Sequence, residues 1–157
     1  MLKFSIFIGN ITKQSFLNIE VSKILNNRDE KKFFLDDSLN LFKTPLKYEE
    51  LYSNSLIRKG KEYTQKYVAK ANQSEHQTGL AIDITNSSRC FDKNSKEAKW
   101  LADNAYKYGF ILRYLEGKTD ITGYNYEPWH IRYVGKKVAK EIYNNSETLE
   151  EYLERLG

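Results

Sequence analysis

The chain of 157 residues has two histidines, and each stands among acids in a tight local pattern. The first lies in Ser74-Glu75-His76-Gln77-Thr78-Gly79-Leu80-Ala81-Ile82-Asp83, the second in Glu127-Pro128-Trp129-His130. Neutral imidazole with carboxylate is the donor set of a catalytic zinc site, which takes three protein ligands and keeps a fourth position open. His76, Asp83 and His130 would supply the three ligands, and Glu127 would be left as a base. An ion held in this way acidifies water and polarises a carbonyl, while an unbound carboxylate nearby can carry the proton to a leaving amine. The chemistry implied is hydrolysis of a peptide bond. The residues are also compatible with a second ligand set, both histidines with Glu127, in which Asp83 orients one imidazole from behind.

Positioning these side chains requires particular elements. Gly79 permits a tight bend between His76 and Asp83. Leu80, Ile82 and Ile84 alternate as one face of a strand, which puts Ala81 and Asp83 together on the other face. A small residue beside a carboxylate leaves room there for an ion or a substrate. Pro128 removes a backbone donor and fixes φ, so 127–130 reads as a bent entry into a strand over Ile131 to Val134. Ala98, Leu101, Ala102 and Ala105, spaced i, i+3, i+4 and i+7, predict an amphipathic helix over 96–108. Asn94 or Ser95 would cap it, and Gly109 would end it. A strand comes next over Phe110 to Tyr114, then a turn over 116–118, and two short helices over 138–143 and 148–156.

The upstream part carries less information. Leu2 to Ile11 could form a strand, and Leu17, Val21, Ile24 and Leu25 mark one face of a helix. Phe33-Phe34-Leu35 and Leu39-Asn40-Leu41-Phe42 are short apolar patches, and Pro45 interrupts the chain just beyond them. Residues 61–70 read as a helix leading into the first motif. Without internal repeats or a low-complexity linker, the whole reads as a single α+β domain.

Composition narrows the class further. With 40% apolar and 29% charged residues, the chain has the balance of a soluble globular protein. Twelve tyrosines against two tryptophans suggest half-buried sheet surfaces and a groove. A net charge of +4 suits an anionic polymer, either cell wall or nucleic acid. Lys and Arg are interspersed with acids, however, and no basic stripe supports a nucleic-acid partner. Cys90 is the only cysteine, so it has no internal disulfide partner and reads as a small apolar residue. No apolar run is long enough to span a membrane. Phe4 to Gly9 is short for a signal-peptide core, so a secretion signal is not supported and the compartment stays open.

Ser74-x-His76-x-x-Gly79-x-Ala81-x-Asp83 followed by Glu127-x-Trp129-His130 resembles the VanY-type D-alanyl-D-alanine carboxypeptidases. These belong to the LAS group of zinc peptidases, which also includes VanX dipeptidases and phage endolysins. The similarity is continuous from about Lys61 to Val134 and takes in Trp100 to Phe110. It implies a small α+β domain with a central antiparallel sheet flanked by helices, the hedgehog/D-Ala-D-Ala peptidase-like fold. It implies zinc on His76, Asp83 and His130, Glu127 as catalytic base, and Ser74 and Trp129 in the substrate pocket. The substrate implied is a peptidoglycan stem peptide ending in D-Ala, and the family acts at the bacterial cell wall; the chain itself is expected to be a monomer.

Family members also carry a Ser-Gly-Tyr-Arg-like segment upstream, whose cation can stabilise charge growing on the carbonyl oxygen. The nearest text here is Ser53-Asn54-Ser55-Leu56-Ile57-Arg58, which makes Arg58 the candidate for that role. Residues 1–57 then read as a diverged or shortened part of one domain, and 58–157 as the part carrying the metal site. This departure opens two other readings. One is a zinc-bearing domain that binds wall peptides with little or no turnover; the other is an endolysin-type endopeptidase.

Overall fold

The computed structural model describes residues 33–35, 45–70, 72–86 and 91–157, with side chains from residue 49 onward. The strand expected over 2–11, the helix over 16–25, the patch at 39–42 and Cys90 lie outside the described residues. Strands β1 (Phe33–Leu35), β2 (Ala81–Asn86), β3 (Phe110–Leu112) and β4 (His130–Tyr133) form one sheet in the order β1-β2-β4-β3. Every neighbouring pair is antiparallel. This is the α+β arrangement that the sequence implies.

The register of the sheet positions the site. Across β2 and β4, Ala81 pairs with Arg132, Ile82 with Ile131, and Asp83 with His130. Across β3 and β4, Ile111 pairs with Arg132 and Leu112 with Ile131. Because side chains alternate along a strand, these pairings sort the residues onto two faces. Ile82, Ile84, Phe110 and Ile131 lie on one face and pack with Leu101 and Ala105 into a buried core. Asp83 and His130 share the opposite face, where Ile111 meets Ala139, Ile142 and Tyr152 in a second cluster.

Helices cover both faces. The helices are α1 (Pro45–Lys59), α2 (Lys61–Tyr67), α3 (Lys96–Asn104), the single turn α4 (Thr119–Thr122), α5 (Lys136–Asn145) and α6 (Leu149–Leu156), of which α3 packs on the first face and α5 and α6 on the second. Ser95 caps α3 by accepting from the Ala98 N–H at 3.1 Å. The last turn of the predicted helix tightens into a 3-10 segment, Ala105–Tyr108, and Gly109 ends it at φ +87°. A Cβ on Gly109 would lie 2.7 Å from a Tyr133 ring carbon, so both the backbone angle and the close strand behind it call for glycine. Thr148 and Glu151 form a reciprocal capping box that starts α6.

Two expectations change. Pro45 does not interrupt structure but is the first residue of α1, where the missing N–H has no intrahelical acceptor to lose. The Ser53-to-Arg58 segment is part of that helix. The strand expected to reach Tyr114 ends at Leu112, although the Arg113 N–H still donates to His130 O at 3.1 Å. Among the described residues, no helix is long and apolar enough to cross a membrane.

Candidate metal centre

His76 lies in a 3-10 turn, Glu75–Thr78, that Gly79 ends at φ +69° with its N–H bonded back to His76 O at 3.0 Å. That left-handed residue reverses the chain into β2 at little steric cost. His76 Nδ1 is 3.2 Å from Ala81 O. A carbonyl can only accept, so Nδ1 carries the proton and Nε2 presents its lone pair towards Asp83. Asp83 and His130 arrive by a different route, directly opposite each other on β2 and β4. His130 comes after a turn in which its own N–H donates to Glu127 O at 3.2 Å across Pro128.

The three side chains converge. Asp83 Oδ1 is 2.9 Å from His130 Nδ1 and 3.5 Å from His76 Nε2. One donor atom from each of the three lies within 4.8 Å of the others. Asp83 Oδ1 is nevertheless buried without a hydrogen-bond partner. An orphaned carboxylate oxygen between two imidazole nitrogens is what atoms facing a common point look like, and it is costly unless something fills that point. Two nitrogens and one oxygen also match the donor set of a three-ligand zinc site, so these residues fit such an ion. Among the described residues, the converging set is His76, Asp83 and His130 rather than the two histidines with Glu127.

Glu127 stands just outside this set, with Oε2 3.8 Å from His130 Nδ1. Burial pushes its carboxyl up to about 8, with His130 pulling the other way and Asp83 adding to the rise. His130 itself is nearly inaccessible. Burial opposes its charge, but the Asp83 and Glu75 carboxylates outweigh that and hold its pKa up at about 9. A metal ion at the converging point would compete with that proton, since a ligating imidazole must be neutral.

Behind the site lies a network that includes Arg113 and Arg132, which the sequence offers as other possible sources of the cation sought in Arg58. Burial works against the charge on Glu75, yet His130, Arg113 and Arg132 hold its carboxyl down at about 2. Glu75 Oε1 accepts from Arg113 Nε at 2.8 Å and lies 3.3 Å from Arg132 Nη1. The Arg113 fork closes on Glu150 at 2.9 and 2.6 Å, which ties the first turn of α6 to the site. Along the chain both arginines read as ordinary strand charges. The signal available in the sequence is Glu75 itself, an acid directly beside a candidate ligand.

A cavity of about 410 Å³ opens in front of the histidines. Tyr63, Tyr67, Tyr114, Tyr124 and Trp129 supply its aromatic lining, and Ser74 and Ser55 supply hydroxyls. The α1–α2 hairpin that brings Tyr63 and Tyr67 is pinned by Ser55 Oγ against Thr64 Oγ1 at 2.8 Å. Ser74 and Trp129 both line this cavity. Arg58 does not. It is exposed on the last turn of α1 and is not among the residues lining the cavity, because the helix runs on past Ser55 into solvent. Arg58→Ala is expected to leave kcat/KM essentially unchanged, and a large loss with KM unaltered would put its side chain over the cavity.

Together these features define a class: a small α+β domain with a His-Asp-His set suited to one metal ion and a buried carboxyl beside it. The profile of the VanY family, D-alanyl-D-alanine carboxypeptidase, matches residues 20–136. The chain belongs to that family. It is 51% identical over 111 residues to the putative carboxypeptidase YodJ of Bacillus subtilis (strain 168), covering 68% of this chain and 41% of YodJ. Two solved structures share the fold at TM-scores of 0.76 and 0.77. The first is the L,D-carboxypeptidase DacB from Streptococcus pneumoniae, 39% identical, covering 88% of this chain and 74% of DacB. The second is a vancomycin-resistance D,D-pentapeptidase VanY variant in complex with Zn(II), 31% identical, covering 87% and 81%. The chain spans less than half the length of YodJ and of two D-alanyl-D-alanine carboxypeptidases from enterococci.

Proposed function

We propose that the chain is a zinc-dependent D,D-carboxypeptidase that hydrolyses the terminal D-Ala-D-Ala bond of peptidoglycan stem peptides. The observation that carries this reading is the orphaned Asp83 oxygen between His76 and His130, set at the floor of a cavity of about 410 Å³ with Glu127 beside it. The Zn(II) complex of the related VanY supports the choice of ion.

Each residue has a separate task. His76, Asp83 and His130 would hold zinc, which when bound supplies Lewis acidity and lowers the pKa of water. Glu127 is the base: it takes a proton on its Oε2 side and delivers it to the leaving amine. Burial favours the protonated form of Glu127 in the metal-free chain, and a cation at the converging point would favour the carboxylate that takes the proton. Burial pushes the Tyr114 hydroxyl far above its usual range, so it stays a neutral donor in the cavity wall. Ser74 and Trp129 hold the peptide, Trp129 by stacking area and Ser74 by its hydroxyl.

A second reading is L,D-carboxypeptidase activity, favoured by the 39% identity to DacB. The two differ in the stereocentre before the bond that is cut. The test measures zinc content and D-Ala release from a stem pentapeptide and a stem tetrapeptide, before and after chelation. Release from the pentapeptide that chelator abolishes and zinc restores is the expected result. Release from the tetrapeptide alone would make the protein an L,D-carboxypeptidase. One zinc per chain with no release from either would make it a wall-peptide-binding domain.

A further inference from the structure

We infer that Glu75 is the positioning residue of His130: it accepts a hydrogen bond from Nε2–H and so fixes the tautomer that turns Nδ1 towards the metal. The inference rests on the proposed ligand set and assigns a job to a residue outside it.

The geometry is specific to the two ring nitrogens. His130 Nδ1 faces Asp83 at 2.9 Å, on the side where the ligand atoms converge. Nε2 faces the other way and lies 3.7 Å from Glu75 Oε2. Both Nε2 and Oε2 are buried, and neither has a hydrogen-bond partner. Two orphaned complementary atoms facing each other stand roughly 0.8 Å beyond hydrogen-bond length, a gap that a small ring rotation closes. Ligation at Nδ1 requires its lone pair, which leaves the proton on Nε2 and makes the Glu75 carboxylate its natural acceptor.

Glu75 is itself immobilised. Its other oxygen is held by Arg113 Nε at 2.8 Å, and Arg113 is in turn clamped by Glu150 on α6. A carboxylate with one oxygen tied to a fixed guanidinium and the other aimed at an imidazole orients that ring and raises its basicity as a ligand. The motif therefore contains two kinds of residue in succession. His76 binds from the first strand approach, and Glu75, its chain neighbour, holds the histidine that comes from the second.

The test compares the wild type with Glu75→Gln and Glu150→Gln. Three quantities are read: zinc affinity by chelator competition, the visible spectrum of the cobalt-substituted protein, and melting of the metal-free chain. Glu75→Gln is expected to weaken zinc binding roughly 10–100-fold and to shift the cobalt bands, with the fold retained. Glu150→Gln loosens the same arginine but keeps the Glu75 carboxylate, and it is expected to lower the melting temperature while weakening zinc far less than Glu75→Gln does. Wild-type zinc affinity and an unchanged cobalt spectrum in Glu75→Gln would overturn the inference and leave Glu75 a structural partner of Arg113. A wild-type chain that takes up no zinc would overturn the ligand set itself, a result separate from either variant.

Discussion

Glu127→Ala is expected to retain one zinc per chain and to lose roughly 10²–10⁴-fold in kcat, the range that a positioned general base contributes. The carboxyl lies close enough to the converging atoms to serve them but outside their set, with Oε2 3.8 Å from His130 Nδ1. Removing it takes away the proton carrier and leaves the three ligands in place. The fold should survive, because burial already disfavours the Glu127 charge and alanine removes a group that is costly to enclose. Metal analysis of the dialysed variant alongside single-turnover D-Ala release checks both halves. Loss of zinc together with activity would make Glu127 a ligand and return the second donor set to consideration.

His130→Ala should abolish stoichiometric zinc, a larger effect than the roughly 10–100-fold expected for losing an outer partner. Three protein ligands become two, and the lost one comes from the centre of the sheet. The variant also leaves the Asp83 and Glu75 carboxylates facing the vacated space without the imidazole that both of them approach. Buried like charges with nothing between them destabilise, so the metal-free chain should melt lower as well. Stoichiometric zinc retained after dialysis would sink the site as drawn.

Much of this centre is legible along the chain because its determinants are local. Alternation through Leu80, Ile82 and Ile84 places Asp83 on the non-core face, and the structure keeps it there. Gly79 and Gly109 mark chain reversals, and both adopt the left-handed backbone that those reversals need. The illegible features depend on partners distant in sequence. Arg113 looks like any strand charge until Glu75 and Glu150, 38 and 37 residues away, close on it. Composition suggests a groove, but which tyrosines line it depends on where the α1–α2 hairpin sets Tyr63 and Tyr67. Helix α1 is obscured by Pro45, whose effect reverses between a helix interior and its first turn. Arg58 stands out by likeness to a motif, and likeness carries no information about which way a helical side chain leaves the axis.

The pairing of Asp83 with His130 has a consequence for how the protein matures. Two of the three donors sit on adjacent strands as direct opposites, so sliding β2 by one residue would turn Asp83 into the core and present Ile82 or Ile84 in its place. Chains with misaligned strands therefore have no complete binding point, and only correctly aligned chains gain the stability that a bound ion confers. On the proposed ligand set, metal uptake would therefore report correct alignment of the two central strands. The fraction of a refolding mixture that captures an ion counts the molecules whose two central strands have found their proper alignment.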